Sequence, residues 1–222
     1  MLLLLFDIDG TLLQRASVEH AAALRSAAGR VHGVDLTSVD AVEYAGRTDR
    51  AIARDLLAAV GVDDLDEAWV DETVREYERL CPPDLSAKVA PGMVELLEAL
   101  AARPDAFRLS LVTGNLEAVA RRKLTAAGIG HYFEPGQGGF GSDHEQRGEL
   151  PRIARERASS PAWSRDRTVV IGDTPRDIAC ARVDEVRVAA VATGPYPVSA
   201  LAEADAVADD ARALLPVLQD WV

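Results

Sequence analysis

Four aspartates in this chain stand directly after short apolar runs. Asp7 and Asp9 close "LLLLF" (residues 2–6), and Asp173 and Asp177 follow "TVVI" (168–171). An ionised group beside a core must be paired, hydrated or bound to metal. Asp7 and Asp9 are two apart, so on an extended backbone their side chains point the same way. Four clustered carboxylates with no His or Cys at ligand spacing call for a hard cation. Mg²⁺ fits best, because it takes a few carboxylates together with substrate phosphate oxygens. A third polar cluster, Thr113-Gly114-Asn115, ends the run "RLSLV" (108–112). Thr113 offers a hydroxyl, Gly114 a close backbone approach, and Asn115 opens a helix whose N-terminal amides suit an anion. The implied ligand is a phosphoryl group.

These residue types define a reaction. Asp7, with an ordinary carboxylate pKa of roughly 3.9, is ionised without a helper base and can attack phosphorus. Asp9 can protonate the leaving alkoxide and later deprotonate the attacking water, provided neighbouring carboxylates raise its pKa towards working pH. The remainder of catalysis is positioning and charge neutralisation. Each cluster taken singly is an ordinary turn or helix cap. All three, each after a buried strand and in this order, are not.

The elements that position the clusters follow from hydrophobic patterning. The three runs read as buried strands, with weaker ones at 187–192 and 205–208. Helical spacing marks 93–102, 116–128, 150–158 and 175–182 between them. Strands alternating with helices imply a parallel α/β sheet covered on both faces, with ligands at the carboxyl ends of the strands. Residues 14–88 differ: three helical patterns run through them with no strand between. They read as an all-helical cap (14–88) inserted in a Rossmann-like core (1–13 and 89–222), the Pro-rich stretch 81–92 marking the return. "GQGGFGSD" (136–143) lacks the Gly-Lys-Ser/Thr of a P-loop and reads as a loop.

Composition sets limits. The chain has 222 residues, 48% of them apolar and 27% charged, an ordinary globular balance. A net charge of −12 argues against a nucleic-acid surface. No apolar stretch approaches the ~20 residues of a membrane span, and the N-terminal leucines lack the basic flank of a signal peptide. A cytoplasmic protein is expected, with Cys81 and Cys180 as small buried hydrophobes. His20, His32, His131 and His144 show no ligand spacing and read as surface or packing residues.

The motifs "FDIDGTL", "LVTGN" and "VVIGDTPRDIACAR" resemble those of the haloacid dehalogenase superfamily, specifically its phosphatase branch, and "AGRTDRAI" (45–52) is similar to a cap segment of phosphoglycolate phosphatase-like members. The resemblance spans the chain. It implies Mg²⁺ held by Asp7, the Asp9 backbone carbonyl and Asp173 with Asp177 in support, and Thr113 and Asn115 on the phosphoryl oxygens. Asp9 argues against dehalogenase chemistry, because that branch lacks the acid. The family's third motif usually supplies a Lys before the third motif-bearing strand, where this chain has neither Lys88 nor Lys123. Arg147 is the candidate there, with Arg152 in reserve. Arg47 and Thr48 are candidates for facing the substrate from the cap. The expected activity is hydrolysis of a small phosphorylated metabolite. A phosphosugar mutase of the β-phosphoglucomutase type, or a non-catalytic phosphate binder, could use the same scaffold. Substrate identity and oligomeric state stay open.

Overall fold

The computed structural model of the chain describes residues 1–14, 16–36, 39, 42–62, 67–80, 84–159 and 161–222, with backbone alone at 16–19 and 67. Cys81, Pro82 and Pro83 lie outside the described residues. Six parallel strands form one sheet in the order β3-β2-β1-β4-β5-β6. They are β1 (Leu2–Phe6), β2 (Phe107–Thr113), β3 (Gly139–Phe140), β4 (Thr168–Gly172), β5 (Arg187–Val191) and β6 (Ala206–Ala208). The leucine run is β1 itself, at the sheet centre, with Phe6 in register with Leu111 of β2 and Ile171 of β4. Every β1 side chain is fully buried. Successive residues serve opposite faces, which is why no polar alternation is visible. Leu2, Leu4 and Phe6 join a cluster with α4 (Met93–Ala101), α5 (Glu117–Ala126) and α8 (Ala211–Asp220). Leu3 and Leu5 join another with α6 (Leu150–Ala158) and α7 (Pro175–Val183).

Among the described residues, three α-helices stand between β1 and α4: α1 (Ala16–His32), α2 (Asp49–Ala58) and α3 (Glu67–Leu80), with their own apolar cluster. In α2, Asp49, Ile52, Ala53, Leu56 and Leu57 are buried, the spacing of one helical face. The chain leaves and re-enters the sheet layer at one place: Leu13 bridges Val89, and the Gln14 amide donates to the Lys88 carbonyl at 2.7 Å. Leu116 and Val119 of α5 complete the insertion's cluster, so the helices pack onto the sheet domain beside the end of β2.

Three elements differ from expectation. Residues 136–143 contain β3, a two-residue edge strand too short for any pattern to reveal. α5 begins at Glu117 with Leu116 as its cap, so Asn115 stands just outside the helix. α8 was not legible because Pro216 lies inside it; Asp210 caps it, accepting from the Arg212 and Ala213 amides.

Candidate active site

The carboxyl ends of β1, β2 and β4 open into a cavity of about 610 Å³. The strand order places β1 where the connections diverge to either side, the position of ligand crevices in open α/β sheets. Asp7 is the first residue past β1, and its amide donates to the Ile171 carbonyl of β4 at 2.8 Å. Oxygens of Asp7, Asp173 and Asp177 lie within 4.8 Å of one another, and all three residues are buried.

Local sequence explains each placement. Gly10 turns the chain away with φ +100°, a region that side chains avoid, and a Cβ there would overlap the Asp173 carboxylate. Thr11 donates its hydroxyl to Asp173 Oδ1 at 2.9 Å. Thr174 and Asp177 form a capping box at the start of α7, with Pro175 in the first turn. Asp177 Oδ2 thereby accepts the Thr174 amide at 2.9 Å and its hydroxyl at 2.7 Å. Arg147, in a short 3₁₀ turn before α6, donates to Asp7 Oδ1 at 2.9 Å and also to Asp177 Oδ1. Arg152 instead lies exposed between Glu149 and Glu156.

Three carboxylates facing one guanidinium leave two negative charges uncompensated. Burial, followed by the neighbouring carboxylates Asp177 and Asp7, pushes the Asp173 carboxyl well up. Burial likewise raises Asp7, with Arg147 pulling against it. Asp173 Oδ2 is buried and has no hydrogen-bond partner among the described residues. An all-oxygen cluster short of two positive charges, with one oxygen unclaimed, fits a hard divalent cation. Asp7 and Asp173 have the oxygens to hold it, since Asp177 is occupied by its cap and by Arg147.

A family model described as haloacid dehalogenase-like hydrolase matches residues 4–182, which carry all of these groups. The chain belongs to this family. It is 30% identical to a phosphoglycolate phosphatase of Rhodospirillum rubrum, over 98% of this chain and 89% of that protein. It is 27% identical to a phosphoglycolate phosphatase of Aquifex aeolicus, over 80% and 78%. Its fold is similar to that of a β-phosphoglucomutase from Clostridium difficile, with a TM-score of 0.75 at 18% identity over 100% and 96% of the two chains.

In this hydrolase the other expected residues separate. Thr113, Gly114 and Asn115 line the cavity. A Cβ on Gly114 would overlap the Arg47 carbonyl, so only glycine lets the insertion approach β2 this closely. Arg47 also lines the cavity, but its guanidinium bonds Asp55 at 2.5 Å. Thr48 is not part of the cavity wall. It caps α2, accepting the Ala51 amide at 3.3 Å and donating to the Glu145 carbonyl at 3.2 Å.

Asp9 departs from expectation. Its carboxylate is outside the three-aspartate cluster and faces Lys123, whose Nζ donates to Oδ2 at 2.6 Å. Burial alone would raise its pKa, but the Lys123 charge and hydrogen bonds from Lys123 and Asn115 outweigh it, so the pKa falls instead of rising. Sequence reasoning set Lys123 aside because it is far from the third motif. It arrives from α5, one helix past Asn115, on the buried side of that helix. The spacing Asn115-x₇-Lys123, about two helical turns, was the available signal. Asp49 was missed too: buried at the start of α2, it accepts from Asn115 Nδ2 at 3.3 Å and the Leu116 amide at 3.1 Å. His20, expected to pack, does meet Tyr77 edge-on, yet both also line the cavity. Burial lowers its pKa to about 3, so it is neutral. Among the described residues, no helix is long and apolar enough to cross a membrane.

Proposed function

We propose that this hydrolase is a Mg²⁺-dependent phosphatase that cleaves a small phosphorylated metabolite through an aspartyl-phosphate. The observation carrying this proposal is the meeting of Asp7, Asp173, Asp177 and Arg147 beside the ends of β1 and β4, facing Thr113–Asn115 across a shared cavity. Two relatives named phosphoglycolate phosphatase support phosphoglycolate as the first ester to try.

Bound between Asp7 and Asp173, Mg²⁺ would neutralise charge on the phosphoryl oxygens. Asp7 attacks phosphorus, forming the acyl phosphate as the ester oxygen departs. Asp9, which must first take up a proton against the pull of Lys123, gives that proton to the departing oxygen, then takes one from water as water attacks phosphorus, releasing inorganic phosphate and restoring Asp7. Arg147 holds Asp7 in line and, with Thr113 and the Gly114–Asn115 backbone, receives the phosphoryl oxygens. Residues 14–88 serve as a cap: Leu24, Ile52 and Tyr77 of its helices and Tyr44 of the loop before α2 close the cavity, which admits small esters and excludes bulk water.

Phosphate release from a panel of small esters, with Mg²⁺ or EDTA, tests this for wild type and Asp7→Asn. Mg²⁺-dependent release that disappears in Asp7→Asn is the expected result. A folded wild-type protein that releases no phosphate from any ester would refute hydrolysis. Isomerisation of a phosphosugar in its place would identify a mutase.

A further inference from the structure

Lys123 has no part in the reaction as derived above, yet its position in the site is distinctive. Its side chain is 1% exposed. An ammonium group this deep is tolerable only when its donors are matched by acceptors held in place. Two acceptors are within reach: Asp9 Oδ2 at 2.6 Å and Asn115 Oδ1 at 2.8 Å. The far end of the Asn115 amide is fixed in turn, because Nδ2 donates to Asp49 Oδ1 at 3.3 Å. Asp49 is tied to the end of β2 twice more, accepting the Leu116 amide at 3.1 Å and donating its own amide to the Gly114 carbonyl at 2.8 Å. One unbroken line of polar contacts therefore runs from the first turn of α2, through Asn115 and Lys123, to Asp9.

A carboxylate that must meet a leaving oxygen needs a fixed rotamer, and Asp9 stands just before the Gly10 turn, beyond the end of β1. Among the described residues its side-chain hydrogen bonds come from other elements, from Lys123 and Asn115. The long stem of Lys123, packed inside α5, supplies the missing restraint, and a charge-assisted bond of this length is among the strongest available. Among the described residues Arg147 pairs with the carboxylates of Asp7 and Asp177, so the two site cations serve different carboxylates.

We propose that Lys123 is a positioning residue that holds the Asp9 carboxylate for proton transfer and, through Asn115 and Asp49, ties its orientation to the seating of the helical insertion. This rests on the assignment of Asp9 as general acid and base. A structural pin alone would hold the fold and affect all substrates equally. A residue acting through Asp9 affects most those esters whose alcohol must be protonated as it leaves.

The experiment compares turnover of an alkyl ester such as phosphoglycolate with that of 4-nitrophenyl phosphate, whose leaving group needs no proton. Wild type, Lys123→Met, Asp9→Asn and the double variant are assayed with Mg²⁺. Lys123→Met should lose about 10–100-fold more turnover on the alkyl ester than on the aryl ester. In the Asp9→Asn background it should cost nothing further on the alkyl ester. That comparison also serves if Lys123→Met alone does not fold, since Asp9→Asn removes the charge left unpaired. Equal losses on both esters, or additive losses in the double variant, would overturn the proposal. A crystal structure of Lys123→Met, or of the double variant, decides the matter without turnover: a carboxylate or amide at position 9 that has left its present rotamer supports it, and one unmoved overturns it. A wild-type protein inactive on every ester refutes the phosphatase alone, and the crystallographic comparison still stands.

Discussion

Replacing Arg147 by Met should destabilise the metal-free protein as well as disable it. The guanidinium touches Asp7 at 2.9 Å and also Asp177, in side chains that are 10%, 5% and 1% exposed respectively. Screening by solvent is therefore slight. Removing one partner of a buried ion pair costs about 3–5 kcal/mol, because the remaining charge stays desolvated. For a domain of this size that lowers the melting temperature by roughly 6–20 °C. The difference should shrink as pH falls towards 5, since Asp7, whose carboxyl burial already raises, then takes up a proton and no longer needs a cation. Arg147→Lys keeps the charge but loses the fork that spans two carboxylates, so it should recover most of the stability and part of the activity. Circular-dichroism melts in EDTA at pH 8 and pH 5, with phosphate release in Mg²⁺, measure all of this. If Arg147→Met melts like wild type at pH 8, or if the loss does not diminish in acid, then the three carboxylates are not the unbalanced charge cluster described here.

Mg²⁺ at about a hundred times its dissociation constant should stabilise the native state by about 2.7 kcal/mol, a rise in melting temperature of roughly 5–11 °C that Asp173→Asn abolishes. Gly10→Ala forces a left-handed backbone, costing about 1–3 kcal/mol, and pushes a methyl into the Asp173 carboxylate; melts and phosphate release should both fall. Burial raises Asp49 from 3.8 to about 6, against opposing pulls from Lys123 and the Leu116 amide. The folded state thus binds this proton more tightly than the unfolded chain, and the associated stability is present below pH 4 and lost as pH rises through 6. Relative to wild type, Asp49→Asn should lack that loss, a difference of about 3 kcal/mol between pH 4 and pH 7 in denaturant titrations. A difference that stays constant with pH would show that Asp49 is not buried as described.

The sheet was legible because its strands are buried on both faces and so appear as unbroken apolar runs, each ending where polar residues cluster. "LLLLF", "RLSLV" and "TVVI" became β1, β2 and β4 with shifts of a residue or so. The chain leaves the sheet layer after Leu13 and returns at Val89, where the two residues bridge. β3 and α8 were not legible. The first is two residues long and held by tertiary packing; the second carries Pro216 in its interior, which propensity counts as a break.

Charge was harder to foresee than shape. Sequence alone placed four carboxylates together and derived a raised Asp9 from their repulsion. That argument weighed the anions but could not locate the cations, and the structure groups three of the four carboxylates. Arg147 was found because it lies near an expected motif, whereas Lys123 reaches the site from the inward face of α5, at a position where a lysine would ordinarily be solvated. Its ammonium divides the carboxylates into two sets. Asp7, Asp173 and Asp177 remain short of positive charge, while Asp9 is already paired. A metal shared among all four carboxylates would occupy the proposed acid. The division leaves Asp9 outside the three-aspartate cluster, and it depends on one buried lysine whose trace in the sequence is its spacing from Asn115.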